Sequence, residues 1–154
     1  MENGSAPGEV EGQGGRIMAI DFGSRRIGLA VSDELGMTAQ GLPTLHRTNK
    51  RNDFDYLRRT IKRYGVSEIV LGLPLRMSGS TGIQSEKVEL FAAELRGRFK
   101  LQVHLFDERL TSVEANRVLR ETDMSGRRRN EVVDQLAAVL ILQAFLEFRS
   151  SQKG

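Results

Sequence analysis

The sequence predicts an α/β fold: a mixed five-stranded sheet, three antiparallel strands and then parallel ones, with helices on both faces. Two observations lead there. Three extended stretches follow one another before residue 47, too closely spaced for helices between them. Beyond them, helical stripes alternate with short apolar runs, the order that right-handed crossovers between parallel strands require.

Taken in order, Ile17 to Phe22 and Ile27 to Val31 read as strands joined by the turn Gly23-Ser24-Arg25-Arg26. Gly41 to His46 is a weaker extended stretch, and Pro43 marks it as an edge. Phe54, Leu57 and Ile61 then fall on one helical face. Glu68 to Leu71 is a short buried strand ending at Gly72-Leu73-Pro74, and Ser78 to Gly82 is a polar loop. Val88, Phe91, Ala92, Leu95 and Phe99 make a second helical stripe, and Leu101 to Phe106 another strand. Thr111 with Glu114 three residues on is a capping-box signature for the next helix. A final helix from about Glu131 to Phe148 carries Val133, Ala137, Leu140 and Ala144. The first strand is expected at the centre of the sheet.

The domain runs from residue 16 to 149. Residues 1–15 are rich in Gly with Ser, Pro, Gln and Glu, too polar to offset their ordering entropy, and are expected to form a disordered tail. Residues 150–154 are expected as a short C-terminal tail. The absence of cysteine among 154 residues excludes disulfides, thiolate zinc sites, Fe–S clusters and a Cys nucleophile, and fits a cytoplasmic location. No apolar run approaches the roughly 18–20 residues that span a bilayer, and the acidic N-terminus has no signal-peptide core. A membrane partner is therefore not expected. The net charge of +3 understates the basicity of the domain, because Glu2, Glu9 and Glu11 sit in the tail. A basic surface favours phosphate-rich partners through counterion release, although solvated Arg and Lys alone produce the same balance.

Three acidic positions stand where carboxylates are costly unless they meet a cation or hydrogen-bond donors. Asp21 ends an apolar strand, and would otherwise cap the turn at Gly23 or Ser24. Asp107-Glu108-Arg109 ends another; alternation points Asp107 and Glu108 to opposite faces, so only one can reach a given site. Either could instead open the following helix. Asp134 shares a stripe with Ala138, Ile141 and Phe145, or else is a first-turn acid with Asn130 as cap. Carboxylates clustered without His or Cys suit hard cations such as Mg²⁺ or Mn²⁺, and a pair of such ions serves phosphodiester hydrolysis. His46 and His104 lack ligand spacing and read as partly buried structural residues. Arg25 and Arg26 follow Asp21, Arg109 follows Glu108, and Arg127, Arg128 and Arg129 precede Asp134. Basic groups beside each acid suggest a phosphate track. With 6% aromatic residues and no Trp, a base-stacking platform is not expected.

Four segments carry a resemblance: Ala19 to Asp33 (AIDFGSRRIGLAVSD), Val70 to Leu75 (VLGLPL), Asp107 to Ser112 (DERLTS) and Val133 to Gln143 (VDQLAAVLILQ). In order and spacing they resemble the bacterial YqgF family, also called RuvX, linked to Holliday-junction resolution and pre-16S rRNA 5′-end processing. The resemblance covers Arg16 to Phe148. It implies a ribonuclease-H-like fold, a cytoplasmic location and a divalent-metal nuclease acting on pre-rRNA or branched DNA. It also assigns the catalytic and metal-binding acids to Asp21, Glu108 and Asp134, choosing Glu108 over Asp107. Monomer and homodimer are equally open.

Two other functions are compatible with the residues. One is a catalytically silent RNA-binding or assembly factor. The other is a phosphate-binding module of the sugar-kinase/actin class, suggested by Asp21-x-Gly23-Ser24 at a hairpin. That class uses two lobes, and the chain carries no second Asp-x-Gly hairpin.

Overall fold

The structure is a computed structural model and describes residues 15–75, 78–79, 82–113 and 127–153. Strand β1 (Arg16–Phe22) buries Ile17 to Asp21 without interruption, as a strand covered on both faces must. It lies at the centre of one five-stranded sheet. On one side β2 (Arg26–Ser32) pairs with it antiparallel, and β3 (Ala39–His46) pairs antiparallel with β2. On the other side β4 (Val66–Leu73) and then β5 (Gln102–Asp107) run parallel. The order β3-β2-β1-β4-β5 is the expected mixed arrangement, with Pro43 exposed on an edge strand.

Two strands reach further than apolar content alone suggests. β3 begins at Ala39 because pairing continues through the polar Gln40, and β4 begins at Val66, which pairs with Arg16 ahead of a register shift that skips Ser67.

Helix α1 (Lys50–Tyr64) connects β3 to β4. The Asn49 side chain caps its start by accepting from the Asn52 amide, and Gly65 ends it at φ 64°. Helix α2 (Ile83–Phe99) connects β4 to β5. Both pack on one face of the sheet, around Met18, Ile20, Leu29, Leu57, Ile69 and Leu95. The last helix, α3 (Arg127–Lys153), covers the other face through Ala137, Ala138, Ile141 and Phe145. Facing it are Ala19, Ala30 and Val70, smaller residues that let α3 lie close.

The final helix is longer than its apolar stripe. Its start precedes Glu131 because Arg127 to Asn130 are helical but polar, and its end passes Phe148 into residues expected as tail. After β5, Glu108–Leu110 form a 3₁₀ turn. Thr111 donates to the Glu108 carbonyl at 2.7 Å and accepts from the Val113 amide at 3.1 Å. Glu114 and the helix expected there lie outside the described residues, as does the tail up to residue 14. No helix among the described residues is long and apolar enough to cross a membrane.

A polar cluster ties α3 to the sheet away from Asp21. Arg149 donates to Glu68 at 2.8 Å, and His104 sits 3.5 Å from the same carboxylate while packing on Phe145. His104 is thus structural, whereas His46 is exposed at the end of β3. Burial pushes the Glu68 carboxyl up, but Arg149 and His104 outweigh it and hold the group below its ordinary 4.5. A carboxyl lowered on folding stabilises above its unfolded pKa and loses that contribution as pH falls through the folded value. Glu68→Gln is therefore expected to cost less than about 1 kcal/mol at pH 7, since both partners are only part-buried and solvent screens the pair. The gap to wild type should shrink towards zero below about pH 4. Urea midpoints at pH 7 and pH 3 check this, and an equal gap at both would refute it.

Candidate active site

Strands β1, β4 and β5 are parallel, so their C-terminal ends open on one edge of the sheet, where α/β proteins commonly place ligands. Alternation decides which side chains reach which face there. Ile17 and Ala19 on β1 pack beneath α3, and Asp21 continues that row. On β5 Phe106 packs beneath α3, and Glu108 follows it two residues on.

The structure separates Asp107 from Glu108. Glu108 is 6% exposed and lies beside Gly72 of β4. Asp107 instead caps the 3₁₀ turn by accepting from the Arg109 amide, and both its oxygens take bonds from the Arg109 side chain. The Arg109 side-chain hydrogen bond holds the Asp107 carboxyl below the usual carboxylate range, and the same contact raises the guanidinium. Asp107 thus caps the turn, whereas Glu108 is its first residue and buries its side chain beside β4.

Asp134 comes from α3, about two turns past Arg127. It is not a first-turn acid: that turn contains none, and Asn130 lies inside the helix instead of capping it. Asp21, Glu108 and Asp134 all line one cavity of about 350 Å³, and each is at most 7% exposed.

Two glycines permit this convergence. Gly28 pairs with Asp21 across the β1–β2 ladder, and a Cβ there would lie 2.1 Å from the Asp134 carbonyl oxygen and 3.5 Å from the Asp21 Cβ. Its missing side chain lets the α3 backbone rest on β2 beside Asp21. A Cβ on Gly72 would meet Glu108 Oε2 at 2.7 Å and Ile141 Cδ1 at 2.6 Å. Neither residue was among the candidates from sequence. Each is a glycine inside an apolar strand, the signal of a close backbone approach.

The arginines divide. Arg25 is exposed on the cavity wall and, among the described residues, forms no ion pair. Arg26 also lines the cavity, but its Nε donates to Asp134 Oδ2. Arg109 does not line it. Arg127, Arg128 and Arg129 form the first turn of α3 instead of preceding the helix, and their side chains lie outside the described residues.

Three buried carboxylates without a nitrogen or sulfur donor suit a hard divalent cation in kind. Their arrangement is not a ready-made cage. Among the described residues no three acidic or histidine side chains come together as a metal site, and Arg26 neutralises one of the acids.

Comparison with known proteins extends this picture. A family model described as "RuvX: Holliday junction resolvase" matches residues 15–148. A protein of Koribacter versatilis named "Putative pre-16S rRNA nuclease" is 63% identical over 135 residues, covering 88% of each chain. One of the same name from Moorella thermoacetica is 52% identical over 139 residues, 90% of this chain and 99% of that one. Among solved structures, T. thermophilus RuvC in complex with Holliday junction substrate aligns with a TM-score of 0.52 and 13% identity. That alignment covers 88% of this chain and 96% of the other. At that identity the likeness is one of fold, and the fold is ribonuclease-H-like. The family match takes in the whole sheet, the packing faces of the three helices among the described residues and the three acids, and the chain belongs to the RuvX family.

Proposed function

We propose that the chain is a divalent-metal-dependent nuclease whose substrate is the 5′ region of pre-16S rRNA. The carrying observation is the convergence of Asp21, Glu108 and Asp134 on one cavity with Arg25 on its wall. The names borne by relatives at 63% and 52% identity favour RNA over branched DNA as substrate.

In this reading the three carboxylates hold Mg²⁺ or Mn²⁺. When bound, such ions activate water and stabilise the leaving oxygen of a phosphodiester. The chain's own residues do the rest. Arg25 orients a phosphate over the acids by charge-assisted hydrogen bonds. The buried walls lower the local dielectric, so each charge acts more strongly than it would in water. Arg26 neutralises Asp134, and its guanidinium would have to release that carboxylate for the acid to serve as a metal ligand.

The test is cleavage of a structured RNA spanning the pre-16S 5′ junction, beside a four-way DNA junction. RNA is expected to be cut in Mg²⁺ and spared in EDTA, with the DNA cut more slowly. Faster cutting of the DNA would make junction resolution the activity instead.

A second reading, an RNA-binding assembly factor without cleavage, draws on the Arg26–Asp134 pair itself, which neutralises one of the three acids with no metal. Arg26→Met separates the two. Removing the guanidinium takes an ion-pair partner from a nearly buried carboxylate, and about 2 kcal/mol of stability should be lost in EDTA. A metal site predicts that Mg²⁺ restores most of this and raises the variant's melting temperature more than the wild type's. Equal, negligible Mg²⁺ shifts in both proteins would favour the silent factor.

A further inference from the structure

A second cavity, of about 290 Å³, opens on the sheet face covered by α1 and α2. It shares Phe22, Ser24 and Gln84 with the cavity of the three acids, so the two meet across the end of β1. Its floor is apolar. Phe22 stacks on Phe91 with centroids 4.2 Å apart, and Leu90 beside them is 68% exposed. Its rim is cationic, with Arg47, Lys50 and Lys87 against Asp53 and Glu94.

Both acids are already occupied. Arg47 bonds Asp53 at 3.2 Å and the Gly23 carbonyl at 2.9 Å, and its guanidinium lies 4.7 Å over the Phe22 ring. Lys50 bonds Glu94 at 2.8 Å. Lys87 is exposed and, among the described residues, has no ion pair. An apolar floor of ring size beneath a rim with one unmatched cation fits a nucleotide, whose base has an apolar face and whose phosphate carries charge.

We propose that this cavity is a strand-guiding subsite, which takes a nucleotide flanking the phosphate held over Asp21, Glu108 and Asp134. The base lies over Leu90 and against the rim of Phe22, whose faces Phe91 and Arg47 cover, and Lys87 meets its phosphate. The strand then crosses the sheet edge over Ser24 and Gln84. The placement rests on the nuclease reading of the first cavity, but occupancy can be read without cleavage.

The chain contains no Trp, so Leu90→Trp places a single fluorophore on the rim. In EDTA, eight-residue oligouridylate and oligothymidylate are each titrated against the full chain. Either strand is expected to quench Leu90→Trp fluorescence about twofold and to leave Phe148→Trp, on α3, unchanged. Quenching by uridylate alone assigns the subsite to RNA, and by thymidylate alone to DNA.

Lys87→Glu in the Leu90→Trp chain should raise the oligonucleotide Kd about tenfold and make the slope of log K against log salt shallower by about 0.7. Lys62→Glu, on the exposed end of α1, should do neither. Equal quenching at both tryptophans, equal effects of the two lysine changes, or equal quenching by hexaglutamate would overturn the subsite. So would the absence of binding. Quenching without any metal-dependent cleavage would sustain the subsite and remove the nuclease reading. Cleavage with unquenched Leu90→Trp would do the reverse.

Discussion

Asp21→Asn is expected to slow metal-dependent cleavage at least about 100-fold, some 2.7 kcal/mol of transition-state stabilisation. The amide preserves the shape at the end of β1 but removes a charge from a cavity that two other carboxylates line. In the absence of metal those carboxylates repel one another, so the folded state should be unharmed or slightly favoured. A residue that merely capped the Gly23–Ser24 turn would behave oppositely, losing about 1 kcal/mol of stability, by analogy with helix caps, and no activity. Single-turnover rates and thermal melts with and without Mg²⁺ distinguish the two. A destabilised, fully active Asp21→Asn protein would sink the nuclease mechanism.

Gly28→Ala should be the most damaging single methyl in the sheet. At 2.1 Å from the Asp134 carbonyl oxygen, the new carbon meets backbone and not a side chain that could swing away. Helix α3 would have to lift from β2, loosening Ala137, Ala138 and Ile141 from Ala19 and Ala30. The expected cost is about 3 kcal/mol or more. For a domain of this size that is a drop of about 6–12 °C in Tm. Gly65→Ala is the contrast: nothing lies within 4 Å of its Cβ position, and only the left-handed φ of 64° is strained. About 1–2 kcal/mol should be lost there, with cleavage intact. Equal losses of stability and activity at the two positions would show that α3 does not rest on Gly28.

Much of this architecture is legible from residue pattern. Apolar runs at Ile17 to Phe22 and Ile27 to Val31 identify the two strands nearest the site, and Pro43 marks the edge. What pattern cannot supply is depth. Alternation says that Asp107 and Glu108 part company, but which one meets α3 depends on how β5 sits in the sheet. The start of α3 is hidden because Arg127 to Asn130 contribute no apolar residue to its stripe. The engagement of Arg26 with Asp134 spans 108 residues of chain, and no local signal announces it. Arg25 and Arg26 look alike in sequence, yet their places in the fold set them apart.

The contrast between the two faces of the sheet bears on how the family can drift. Where α1 and α2 pack, bulky side chains such as Met18, Ile20 and Leu29 fill the gap, and one can shrink while its neighbour grows. Where α3 packs beside the acids, main chain meets main chain at Gly28, with Ala19 and Ala30 alongside. There is no slack there to trade. The spacing between a carboxylate carried by the sheet and one carried by the helix is therefore gauged by backbone thickness for as long as position 28 is glycine. Side chains in the α1–α2 interior can change in compensating pairs without moving Asp21 relative to Asp134.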